Sequence, residues 1–124
     1  MQRSFRPSTV VLGFTIVLLV FLTVIPIDAA AHPPKDVQLG YDAASKTITV
    51  TITHTSASLT RHYIKLVEVV KNGAVVSSNL YKSQPDKTSF SYSFPVSAQA
   101  GDVVEVTVSC NIYGKMSAAL KIGP

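Results

Sequence analysis

His32, His54, His62 and Cys110 are the residues of this chain whose imidazole or thiolate side chains suit a transition metal. They are all the histidines and the only cysteine in 124 residues. Such donors suit iron, zinc or copper, whereas calcium and magnesium take oxygen. No Cys-x-x-Cys pair occurs, so the spacing is not that of a zinc finger. Residue type alone leaves Cys110 three roles: a buried inert thiol, a bridge to another chain, or a ligand. A single histidine on a strand is more often a packed or half-exposed residue than a ligand. The elements that carry these side chains therefore decide what they can do.

Residues 46–54 alternate in type, with Ile48, Val50 and Ile52 on one face and Thr47, Thr49, Thr51 and Thr53 on the other. A period of two in β-branched residues marks a half-buried strand. His54 extends its apolar row. Residues 103–110 repeat the pattern, with Cys110 extending the row of Val104, Val106 and Val108. In a strand over 62–70, His62 is in phase with Ile64 and Leu66. Further strands are predicted over 37–41, 75–81, 89–94 and 117–122. Asn72-Gly73 is a hairpin turn signal, and residues 83–87 read as a loop. Seven short strands with no helical period predict an all-β, immunoglobulin-like antiparallel sandwich. If consecutive strands alternate in direction, the start of the first, the end of the second, the start of the third and the end of the sixth share one pole. Those places hold His32, His54, His62 and Cys110, which makes a metal site there the sharpest expectation the residues give.

The start of the chain sets the compartment. Arg3 and Arg6 precede an apolar run over 10–27, no charge appears between Arg6 and Asp28, and Ala29-Ala30-Ala31 follows. A positive start, an apolar middle and a small-residue end make a secretory signal, and cleavage after Ala31 puts alanine at both recognition positions. The run also approaches the roughly 20 residues that span a bilayer, so retention as a membrane tether through residues 8–27 is the alternative. Residues 1–31 are thus read as a signal or anchor, and residues 32–124 as one domain outside the cytosol. That location is the secreted or periplasmic space, or the outer face of the cytoplasmic membrane. The domain carries nine Lys/Arg against six Asp/Glu, scattered along the chain. The lack of a basic cluster argues against nucleic acid as a partner.

Two segments carry a family likeness. Cys110-Asn111-Ile112-Tyr113-Gly114 resembles the Cys-Asn-Ile-His-Gly segment of the superoxide reductase (desulfoferrodoxin) iron-binding domain. The stretch from Arg61 to Glu68 resembles that family's Glu-His-His-Ile-x-Trp-Ile-Glu segment. His54 and His32 fall where family histidines end the second strand and precede the first. The resemblance implies an immunoglobulin-like sandwich holding non-haem iron with equatorial imidazoles and one axial cysteine thiolate. It also implies reduction of superoxide to peroxide at the open position, with activity altered or weakened where this chain departs from the family. Carried over, His32, His54 and His62 are equatorial and Cys110 axial. Tyr113 stands where the family has its last histidine, either as a phenolate ligand or as a rim residue. The family lysine that draws in the anion is missing before His32, and Lys35 and Lys115 are its candidate replacements. The implied partners are superoxide or another small anion and an electron donor, and pairing with a second copy of the chain stays open. Two other readings stand beside this one. The first is a metal-binding or metal-delivery module without turnover, holding iron, or copper if His32 becomes a free amino terminus. The second is a sandwich interaction module with no metal.

Overall fold

The structure is a computed structural model that describes residues 32–124. The signal or anchor expected over residues 1–31 lies outside the described residues. Seven strands follow in order: β1 Asp36–Asp42, β2 Thr47–Thr53, β3 Ile64–Lys71, β4 Ala74–Leu80, β5 Ser89–Pro95, β6 Val103–Cys110 and β7 Lys115–Lys121. They form two antiparallel sheets, one ordered β1-β2-β5 and the other β4-β3-β6-β7. Among the described residues no helix occurs, as the alternating pattern predicts.

The sheets meet over the rows that the alternation marks. Ile48, Val50 and Ile52 from β2 and Val104, Val106 and Val108 from β6 are completely buried. Phe90 and Phe94 of β5 close the same core. Burying each such side chain is worth about 1.5–3 kcal/mol, which makes these rows the main support of the fold. The β3–β4 hairpin turns at Asn72 and Gly73, both with positive φ (48° and 83°), the backbone the Asn-Gly pair favours.

One strand departs from its expected form. The third strand begins at Ile64, so His62 precedes it instead of opening it. A bulge between Ile64 and Leu66 sets two residues of β3 against one of β6. The extra residue inverts the phase. Ile64 points inward as expected, but Val67 and Val69 then take the core positions and Leu66 is only half-buried.

Candidate metal centre

The registers bring four chain segments to one end of the sandwich. Asp36 pairs with Thr53, which places the start of β1 beside the end of β2. Ile64 pairs with Cys110, which places the start of β3 beside the end of β6. His54 follows β2, His62 precedes β3 and Cys110 ends β6. One donor atom from each of these three lies within 4.8 Å of the others. Metal–nitrogen and metal–sulfur bonds of about 2.1 and 2.3 Å put opposite ligands at most about 4.4 Å apart. An ion therefore needs to draw these atoms in by only a few tenths of an ångström.

The three side chains enter differently. His54 continues the inward row of β2 and is fully buried. Cys110 continues the inward row of β6 and is 5% exposed. His62 arrives from a turn, in which its N–H donates to the Ser58 carbonyl (2.9 Å). The buried Ser56 hydroxyl donates to the His62 carbonyl and fixes the turn from beneath. Asn111 then joins this turn to the cysteine loop. Its Oδ1 accepts from the Tyr63 N–H (2.9 Å) and its Nδ2 donates to the Arg61 carbonyl (3.0 Å). The loop returns through the Cys110 N–H to the Gly114 carbonyl (3.0 Å), and the Ile112 N–H reaches Cys110 Sγ at 3.5 Å. These contacts fix where the sulfur sits at the end of β6.

Two buried nitrogens have no partner: His54 Nε2 and His62 Nε2. A buried polar atom left unpaired costs about 1–3 kcal/mol, and nearly all native ones are satisfied. Two histidines with such a nitrogen, grouped with a thiol, make a donor set that a metal ion would complete. Burial pushes the His62 imidazole below its ordinary pKa. The neighbouring His54 and His32 rings add to this, and a hydrogen bond to the His32 backbone opposes it. The neutral form that results is the one that can ligate.

His32 is at the same pole but stands further out. Its ring centre is 6.0 Å from that of His54 and 5.8 Å from that of His62, against 4.6 Å between His54 and His62. It is exposed and not among the three tightly grouped donors. The strap that carries it rests on the cysteine loop at Gly114, where φ is +80° and an added Cβ would lie 2.6 Å from Pro33 Cβ. Only glycine gives both that backbone and that approach. Lys35 is exposed and lines an open depression of about 390 Å³ with His32, Pro33, Pro34 and Thr55. Tyr113 is 65% exposed in the β6–β7 turn, next to the exposed Ile112.

No protein-family model and no curated protein matches the chain. Among solved structures it is similar to a superoxide reductase (neelaredoxin) from Ignicoccus hospitalis. That match is 14% identical, covers 74% of this chain and 80% of the other, and has a TM-score of 0.46. It is also similar to a superoxide reductase (neelaredoxin) from Archaeoglobus fulgidus in the reduced form (16% identity, 77% and 93% covered, TM-score 0.47). A third match is a hypothetical protein from Pyrococcus horikoshii OT3 (16% identity, 83% and 98% covered, TM-score 0.43). The chemistry of the pole stands on its own residues.

One residue at this pole has no counterpart in the sequence pattern. Gln84, in the loop between β4 and β5, is 2% exposed and touches His54. A glutamine between Ser83 and Pro85 carries no periodic or spacing signal.

Proposed function

We propose that residues 32–124 form an extracytoplasmic non-haem iron domain of superoxide reductase type. The observation that carries this reading is that His54 and His62, each with a buried, unpartnered Nε2, bring a ring nitrogen within 4.8 Å of Cys110 Sγ. A mixed imidazole and thiolate set suits iron, and the Cys110-Asn111-Ile112 and Arg61-His62 segments are those that resemble the family. The export reading rests on Arg3, Arg6, the apolar run and Ala29-Ala30-Ala31.

In this reading His54, His62 and Cys110 hold the ion and His32 joins them from the outer side. Bound ferrous iron would supply the one electron that superoxide needs. The protein residues prepare the place for it. Burial keeps His62 neutral and available. The Ile112 N–H reaches Cys110 Sγ and helps to position it, and a thiolate ligand would push electron density toward a metal. The exposed side, bordered by His32, would admit a small anion, and Lys35, which shares a depression with His32, offers positive charge on that outer side. Tyr113 faces solvent as a rim residue in this reading, so the site has three imidazoles where the family has four.

The test is anaerobic titration of the mature protein with ferrous iron, followed by stopped-flow superoxide decay. One iron per chain and catalysed decay are expected. Absence of iron binding at micromolar metal overturns the reading, and binding without faster decay restricts it to a metal-holding module.

A further inference from the structure

The Gln84 amide makes four polar contacts. Its Oε1 lies 2.7 Å from His54 Nδ1 and accepts from the Ile64 N–H at 3.2 Å. Its Nε2 donates to the His54 carbonyl (2.7 Å) and to the Asp86 carbonyl (2.8 Å). Turning the amide over would set its NH₂ against the Ile64 N–H and its oxygen against two carbonyls. In a buried site that exchange is costly, so the orientation is fixed by the backbone. The atom facing His54 Nδ1 is therefore an oxygen that can only accept. A neutral imidazole has one N–H, which Gln84 draws to Nδ1. The lone pair is left on Nε2, the nitrogen that is buried without a partner.

Resting on the metal reading above, we propose that Gln84 is the positioning residue that sets the tautomer of His54, and hence that His54 binds metal through Nε2. The same amide holds both ends of His54, ring and carbonyl. Through Ile64 it also reaches the residue paired with Cys110. One uncharged side chain thus registers two of the ligands against each other. Metal-bound histidines commonly donate their second N–H to a carboxylate, which makes the ring more basic. An amide oxygen orients the ring as well but adds no negative charge in this buried place.

The experiment reads the proton directly. Long-range ¹H–¹⁵N spectra of the metal-free wild-type protein at neutral pH should show His54 protonated at Nδ1 and bare at Nε2. Free imidazole side chains in water favour the opposite form, so Gln84→Leu should move His54 toward Nε2–H. It should also weaken ferrous binding by about 10–100-fold, the usual cost of losing such a partner. Nε2–H in the wild type overturns the inference, and so does a Gln84→Leu protein that keeps the wild-type tautomer and affinity. If Gln84→Leu does not fold, the wild-type spectrum decides alone. Nδ1–H in a wild-type protein that binds no ferrous iron overturns the metal reading and leaves the tautomer assignment standing. Nε2–H in a protein that does bind it overturns only the assignment.

Discussion

Gly114→Ala tests whether the cysteine loop holds the His32 strap in place. The new Cβ would stand 2.6 Å from Pro33 Cβ and 3.2 Å from Pro33 Cα. Carbon atoms pack at about 3.5–4.0 Å, so Pro33 must retreat by about 1 Å or the loop must open. Alanine at a φ of +80° adds about 1–2 kcal/mol of backbone strain. In a domain of this size each kcal/mol lowers Tm by about 4–8 °C, so the strain alone predicts a fall of roughly 5–15 °C. His32 is bonded to Pro33 and should move with it. The assay is thermal unfolding together with ferrous affinity, for Gly114→Ala, His32→Ala and the double variant. Gly114→Ala should weaken iron binding about as much as His32→Ala does. The double variant should be little worse than either, because both remove one contribution. Unchanged affinity in Gly114→Ala with normal affinity loss in His32→Ala would refute the coupling of strap and loop.

Three further outcomes are expected. On the proposed reading, Tyr113→His puts an imidazole where the segment of the resembled family has one; the exposed β6–β7 turn must fold inward for it to reach the ion, and stopped-flow superoxide decay in the iron-loaded protein should then become faster than in the wild type. Asn111→Ala removes both side-chain hydrogen bonds between the cysteine loop and the His62 turn and leaves the Asn111 N–H on the Tyr63 carbonyl. It should cost about 1–3 kcal/mol in urea unfolding and weaken iron binding, whereas Asn72→Ala, which also loses two side-chain hydrogen bonds but at the β3–β4 turn, should leave iron binding unchanged. The metal-free protein should lose stability as pH falls through and below about 6.5, the ordinary histidine value. His62 is held below that value when folded, so the unfolded chain takes up the proton first and this stability is present only above it. Urea midpoints between pH 7.5 and 5 check the slope, which should flatten in His62→Gln.

The parts of the fold that were legible in the sequence are those written as local period. Ile48, Val50 and Ile52 on β2 and Val104, Val106 and Val108 on β6 alternate without interruption, and all six are fully buried. The shared pole followed from strand direction alone, since antiparallel neighbours must return their ends to the same place. His54 and Cys110 are simply the next inward residues of those two rows. The route taken by His62 was not legible. A turn and a bulge separate it from the core of β3, and a bulge is set by the partner strand. Gln84, Asn111 and the contact of Gly114 with Pro33 were also hidden. Each depends on residues far apart in the chain, as when Gln84 meets His54 or Asn111 meets Tyr63. The outward place of Tyr113 had no signal either, because residues 111–114 form a turn with no alternation to read.

The most direct test of the central claim is the absorption spectrum of the oxidised, iron-loaded protein beside that of Cys110→Ser. A thiolate bound to ferric iron gives a visible charge-transfer band that nitrogen and oxygen ligands do not reproduce. The site geometry predicts one iron per chain and this band in the wild type, with the band lost in a Cys110→Ser protein whose sheet signature is unchanged. Equal iron content and an identical band in both proteins would remove Cys110 from the ligand set and contradict the account.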